Sequence, residues 1–188
     1  GTKTITKGYH FPNVTFVGIL WADLNLHFPV FSAAEETLQQ IIQVAGRAGR
    51  MFSGSRVVVQ VMKWNRIFDY IDERKYLSFV DFEMSQRKEC CYPPFTNLFC
   101  IELKNKNLDI LEKDANSLVK IMNVFICKKG LRVLTFGPSR PIVHKIKNIE
   151  SRNILLKSCS VKSIFYLLSM LDFHKFDSNI FVTPSLIS

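Results

Sequence analysis

The pattern of apolar and polar positions along the chain changes at residue 92, so the segments before and after it are considered separately. Residues 14–20 form a continuous apolar run, typical of a buried parallel strand. Residues 35–44 repeat their apolar positions at helical spacing, and residues 56–61 form a second buried strand. Ser32 followed by Glu35 fits a capping box at the start of the helix. Strand, helix and strand in this order predict an α/β layer.

Residues 66–91 are charged, with aromatic side chains interspersed, and predict amphipathic helices. The Tyr92-Pro93-Pro94 segment ends them, because proline breaks a helix and favours extended chain before it. We therefore place a domain boundary at this segment, which gives domains 1–92 and 93–188.

The second domain is predicted to contain two successive strand–helix–strand units. Strands are expected at residues 97–103, 131–136, 153–157 and 179–183, with residues 141–146 extended, and helices at residues 108–127 and 161–171. The order β-α-β-β-α-β is that of an α+β ferredoxin-like sheet with both helices on one face. The late phenylalanines are expected in its core, namely Phe165, Phe173, Phe176 and Phe181.

Composition and charge narrow the class of protein. Hydrophobic residues make up 47% of the 188 residues, enough for packed cores and too many for a disordered chain. The net charge is +9, and residues 93–188 account for most of it, with 14 Lys and Arg against 7 Asp and Glu. A basic domain attracts nucleic acid. The alternative is a set of ordinary solvated lysines.

Five cysteines without a C-x-x-C pair, and no histidine cluster, argue against a zinc site in this chain. Free thiols suit the reducing cytoplasm. No signal peptide is recognisable, and no apolar run is long enough to span a bilayer, so we expect a cytoplasmic protein without a membrane partner. The chain begins with Gly1, which is compatible with a piece of a longer protein.

The segment with the most chemical information is QVAGRAGR, at positions 43–50. Arg47 and Arg50 would lie on one side of a helical turn, and each guanidinium can grip a phosphate with paired hydrogen bonds. Gln43 adds an amide, and Gly46 allows close approach of the backbone to a ligand. Because the segment holds no nucleophile or general base, it predicts electrostatic help to phosphoryl transfer, the role of an arginine finger. The alternative is a flexible basic turn.

This segment resembles the last motif of superfamily 2 helicases, and the beginning of the chain resembles the preceding motif. The combination of motifs in this chain resembles the bacterial primosomal replication-restart helicases (primosomal protein N′). Besides residues 43–50, the motifs that carry this resemblance are KGYHFP at 7–12, FSAAE at 31–35, Arg87 before YPPF at 92–95, the Gly137-Pro138 turn and ILLK at 154–157. The resemblance spans nearly the whole chain and is tight before about residue 100.

The resemblance implies the C-terminal part of a RecA-like helicase lobe 2, followed by the ferredoxin-like domain. The intact enzyme would be an ATP-dependent 3′–5′ DNA helicase that restarts stalled forks and initiates primosome assembly. ATP and Mg²⁺ would lie between two lobes, and zinc would lie in an upstream module. Because the chain lacks the lobe 1 motifs, the polypeptide alone is expected to be inactive.

The resemblance also assigns roles to residues. Arg47 and Arg50 would be catalytic, Gln43, Gly46 and Gly8 would line the nucleotide site, and Thr2 and Lys7 would contact DNA.

The C-terminal domain would bind forked and single-stranded DNA, the acidic tail of the single-strand-binding protein, and other primosome proteins. Its candidate contacts are the basic residues Lys145, Lys147, Arg152 and Lys157. The chain departs from the family at residues 149–153, where an Arg-aromatic-Arg-aromatic-Gln run retains one arginine, so the tail contact is open there. Trp21, which replaces a more usual acidic residue, is expected to pack near the strand end, with base stacking as the alternative.

Two other functions fit the sequence. One is a non-catalytic nucleic-acid- or protein-binding adaptor with a degenerate helicase lobe. The other is a translocase from another branch of superfamily 2.

Overall fold

The computed structural model describes residues 14–28, 30–46, 55–142 and 145–184. The chain divides into two compact units, residues 1–87 and 88–188, and each has its own hydrophobic core. The division falls slightly before the Tyr92-Pro93-Pro94 segment. Helices and sheets are mixed throughout, which confirms the α/β class.

In the first unit, helix α1 (Ala33–Ala45) connects two short parallel strands, β1 (Phe16–Ile19) and β2 (Arg56–Val59). The predicted order of strand, helix and strand is therefore confirmed. Short 3₁₀ helices occupy Leu24–His27, Arg66–Tyr70 and Glu73–Lys75, and helix α2 spans Tyr76–Glu89. The core of this unit consists of the buried side chains Leu38, Ile41, Ile67, Phe68 and Phe79.

The expected burial of both strands is wrong. Ile19 and Val59 pack against the core, but Phe16 and Val58 are exposed. Within the described residues the two strands form a two-stranded sheet, so each has an unpaired edge and no full second layer covers its apolar side chains.

The capping box is also wrong, because Ser32 makes no cap hydrogen bond and its hydroxyl donates to the Glu36 carboxylate at 2.6 Å. The segments Arg66–Tyr70 and Glu73–Lys75 are 3₁₀ rather than α-helical. The Asn65 and Asp72 side chains accept from N–H groups two residues ahead and start these short turns.

The second unit contains strands β3 (Asn97–Asn105), β4 (Leu134–Ser139), β5 (Lys145–Ile146), β6 (Ile149–Ser158) and β7 (Asn179–Pro184), with helices α3 (Leu108–Lys129) and α4 (Val161–Ser169). The main strand order is β4-β6-β3-β7, every neighbouring pair is antiparallel, and β5 pairs with β6.

The two faces of this sheet differ. Ile101, Leu103, Ile154 and Leu156 point towards α3 and α4, where they are completely buried. Because side chains alternate along a strand, the intervening residues point to the opposite side. We call that side the open sheet face; it carries Leu98, Cys100, Glu102 and Lys104 of β3, Leu134 and Phe136 of β4, Asn153, Leu155 and Lys157 of β6, and Phe181 of β7.

Phe173 and Phe176 pack against the core as predicted. The same prediction is wrong for Phe181, because its neighbours Ile180 and Val182 take the core positions of β7 and leave its ring on the open sheet face. Phe165 is also exposed, although its ring meets that of Phe99 edge-to-face at 5.6 Å.

Gly137 allows β4 to continue past the point where the sequence predicts its end. Its φ is +111°, and an added Cβ would lie 2.6 Å from the Asn153 carbonyl oxygen on the neighbouring strand. The pairing register shifts between Phe136 and Ser139 at this position. Only glycine fits here without displacing the backbone of β6.

Gly137→Ala is expected to lower the free energy of unfolding by about 2–4 kcal/mol, because strained φ and backbone overlap add together. The matched control is Gly130→Ala, where φ is +59° and no heavy atom lies within 4 Å of the added Cβ. Strained φ alone should cost about 1–2 kcal/mol there. Urea unfolding of both variants checks this, and equal losses would contradict the role of the close β6 contact.

Candidate functional site

The end of helix α1 carries the described part of the QVAGRAGR segment. The side chain of Gln43 and the backbone of Gly46 are exposed there, and the Gly46 N–H donates to the Ile42 carbonyl at 2.9 Å. Arg47 and Arg50 lie outside the described residues, so their predicted role stays a prediction. The same holds for the other early candidates, Thr2, Lys7 and Gly8.

Helix α1 is held by a buried ion cluster at its other end. The Arg87 guanidinium, 3% exposed, donates to Glu83 at 2.9 Å and to Glu35 at 2.8 Å. It also lies 5.2 Å from the centre of the Phe31 ring. Gln39 ties Glu35 to the hydroxyl of a tyrosine at the start of α2, at 3.0 Å for each contact. The cluster therefore fixes the orientation of α1, and with it the direction in which its exposed end projects.

Sequence reasoning assigned Glu35 to a capping box and so missed this cluster. One local signal was available, since Glu83 and Arg87 have the i, i+4 spacing of a helical ion pair. The contact from Arg87 to Glu35 crosses 52 positions of sequence, which no local pattern could indicate.

A second buried carboxylate closes the turn after β2. Asp23 accepts from the backbone N–H groups of Lys63 at 2.9 Å and Met62 at 3.1 Å. These hydrogen bonds hold the pKa of Asp23 below its ordinary value. The carboxylate therefore has a structural role. The neighbouring Trp21 is exposed, so the expectation that it packs near the strand end is wrong.

The basic candidates of the second unit fall into two groups. Lys145 is exposed 3.5 Å from Glu150, and Lys147 is exposed at the turn between β5 and β6. Lys147 and Asn148 both have left-handed φ, of +49° and +62°, which makes a tight hairpin that projects the lysine. These two lysines can meet a phosphate.

Arg152 differs from these lysines. Its side chain is 4% exposed, its guanidinium pairs with Glu112 of α3, and it donates to the Ser151 carbonyl at 2.7 Å. The structure does not support the prediction that Arg152 contacts DNA. The sequence did not predict the burial of Arg152, because an arginine among polar residues at the start of β6 is typical of an exposed position.

The open sheet face combines aromatic rings with lysines. The Lys157 ammonium lies 3.6 Å from the centre of the Tyr92 ring and 5.5 Å from that of Phe136, and it donates to the Cys90 carbonyl at 3.2 Å. Across the sheet, Lys104 lies 5.1 Å from the ring centre of Phe181. Sequence reasoning missed this arrangement because Phe181 was assigned to the core.

The described residues contain no cluster of potential metal ligands. Within residues 14–28, 30–46, 55–142 and 145–184, no group of three or more His, Cys, Asp or Glu side chains could hold an ion. All five cysteines fall in these ranges and are free thiols. Burial, followed by the Glu102 charge, raises the pKa of the Cys100 thiol. In the same ranges no helix has the length and apolar character needed to cross a membrane.

Comparison with known proteins finds similarity along most of the chain. The replication restart protein PriA of Bacillus subtilis is 35% identical over 149 residues, which are 79% of this chain and 18% of that protein. PriA of Rickettsia typhi is 36% identical over 83% of this chain, and PriA of Treponema pallidum is 33% identical over 85%. The chain spans 18–24% of the length of these relatives. No family model matches it.

Proposed function

Because this chain belongs to the family of the replication restart protein PriA, we propose that it is the C-terminal part of an ATP-dependent 3′–5′ DNA helicase. That helicase would restart stalled replication forks and initiate primosome assembly, in the cytoplasm. The observation that carries the proposal is identity of 33–36% to named replication restart proteins across about four fifths of the chain.

In the first unit, we propose that Arg47 and Arg50 stabilise the charge that develops on a transferring phosphoryl group. In the intact enzyme ATP would supply that group, Mg²⁺ would neutralise part of the phosphate charge, and zinc would belong to another module. Gln43 and Gly46 are exposed at the end of α1 and precede these arginines in the sequence, which supports a place for them beside the nucleotide. The 188 residues contain no Walker A sequence, so we expect no ATP hydrolysis by this polypeptide alone.

The architecture supports the finer fold assignment. Parallel β1 and β2 joined through α1 fit part of a RecA-like lobe. The order β4-β6-β3-β7, with α3 and α4 on one face, fits a ferredoxin-like sheet.

We propose that the second unit binds DNA, the acidic tail of the single-strand-binding protein and other primosome proteins. Its excess of positive charge and the exposure of Lys145 and Lys147 support this role.

The 188-residue chain is expected to bind a labelled forked DNA, with an affinity that falls steeply as salt rises. Lys147→Asn should weaken binding and lower the slope of log K against log salt by about one, because one phosphate contact is lost. Asparagine tolerates the left-handed φ of this turn, so the hairpin is preserved. Fluorescence anisotropy at two salt concentrations measures both effects.

The matched control is Lys162→Asn, which removes an exposed lysine from α4, outside the β5–β6 hairpin. It should leave the slope unchanged. Equal effects of both variants would contradict a specific contact at Lys147, and no DNA binding at all would contradict the proposed role of the unit.

A further inference from the structure

We infer that the open sheet face is a stacking surface for single-stranded nucleic acid, with bases on Phe136 and Phe181 and phosphates near Lys157 and Lys104. This inference rests on the DNA-binding role proposed above and names both the class of ligand and the surface. The sequence indicated only Lys157 of this surface, since the rings and lysines come from four different strands.

The two rings are presented at opposite edges of one sheet. Phe136 on β4 is 48% exposed and Phe181 on β7 is 50% exposed. Two strands, β6 and β3, lie between them, so three strand spacings, about 14 Å, separate β4 from β7, and the pairing register offsets the two phenylalanines by a further two residues along the strands. An exposed phenylalanine ring has no polar group to satisfy in water, and its π face accepts any base. Two such rings on one flat surface can hold two bases of the same extended strand.

Each ring has a lysine ammonium over its face, which a stacking base would displace. Lys157 lies 5.5 Å from the Phe136 ring centre, and Lys104 lies 5.1 Å from that of Phe181. A base stacked on either ring would bring its phosphate within reach of a flexible lysine. The carboxylate on this face, Glu102, pairs with Lys104 at 2.9 Å, so a phosphate would compete with Glu102 for this lysine. Between the edges, Leu155 and Cys100 are paired opposite each other and form an uncharged floor.

Single-stranded nucleic acid fits this surface better than an acidic peptide does. An acidic tail with an apolar end needs one notch beside a basic group, whereas this face offers two separate rings on an open sheet. A duplex would hide its bases from the rings. Ring-dependent binding of an acidic peptide would therefore contradict the inference.

The test uses the 188-residue chain and two probes of equal length, about 12 nucleotides: oligo-dT and an abasic strand with the same phosphates. The wild-type chain should bind oligo-dT more tightly than the abasic strand. The double variant Phe136→Leu and Phe181→Leu keeps apolar volume but removes both rings. Its affinity for oligo-dT should fall by about ten- to a hundredfold, and its affinity for the abasic strand should change little. Tyr166→Ala is the matched control, since that ring is 46% exposed on α4 and should not matter.

Each outcome decides the matter. Selective loss on oligo-dT in the double variant, with none in the control, supports the inference. An equal loss on both probes, or no loss, overturns it while leaving DNA binding by the unit intact. If no probe, including forked DNA, binds the wild-type chain, the proposed function of the unit fails as well. If an acidic peptide binds in a ring-dependent way and oligo-dT does not, the surface belongs to a protein partner and the inference is overturned.

Discussion

Arg50→Ala in the intact enzyme is expected to reduce DNA-stimulated ATP hydrolysis by about a thousandfold or more, the usual cost of removing an arginine finger. The reason is electrostatic: a guanidinium stabilises the charge spread over the transferring phosphoryl oxygens, and alanine leaves that charge unmatched. Steady-state hydrolysis at saturating ATP and single-stranded DNA measures the effect, and melting temperature checks that the fold is intact. Near-normal hydrolysis would show that Arg50 has no such role.

Two controls locate the effect. Arg56→Ala removes an exposed arginine from β2, just after the motif, and should leave hydrolysis nearly unchanged. Gly46→Ala adds a Cβ that would meet its nearest atom, the Ile42 carbonyl oxygen, at 3.4 Å, an ordinary contact. The fold should therefore accept the alanine, so any loss of hydrolysis in this variant would report a ligand lying close to the backbone.

Arg87→Ala is expected to lower the free energy of unfolding by about 3–5 kcal/mol, because it leaves the buried Glu83 carboxylate without a partner. The matched control is Arg74→Ala, which breaks an exposed pair with Asp72 whose atoms lie 2.6 Å apart. That variant should cost less than about 1 kcal/mol, since water replaces the lost partner. Urea unfolding compares the two.

A third variant separates unpaired charge from lost packing. Arg87→Met with Glu83→Leu and Glu35→Gln removes all three charges of the cluster and retains apolar volume, so most of the lost stability should return. If this triple variant remains as unstable as Arg87→Ala, the contact of Arg87 with the Phe31 ring, rather than the ion pairs, is the main contribution.

Local signals predicted those parts of the fold that depend on nearby residues. Helix α3 is the best case: its apolar stripe predicted residues 108–127, the Asn107 side chain accepts from the first N–H groups, and Gly130 ends the helix in left-handed conformation. The strands of the second unit were found near their true positions because their apolar residues alternate. The charged segment before α2 was misassigned, since side-chain acceptors at Asn65 and Asp72 divide it into short turns.

Features that depend on distant partners could not be predicted. Nothing near Arg152 in the sequence indicates that Glu112 on α3 will neutralise it and allow burial in β6. The candidate functional residues also differ in whether a local pattern could indicate them. Gln43 and Gly46 were proposed from a contiguous motif, whereas the Arg87 cluster and the open sheet face are formed by residues far apart in the chain.

The two-stranded sheet of the first unit has a practical consequence. Within the described residues, the outer edges of strands β1 and β2 have no strand partner and lie beside exposed apolar side chains such as Phe16. Such edges recruit strands from other molecules. Self-association of this polypeptide should therefore grow with its concentration and be limited by dilution or by solubilising charges placed on β1.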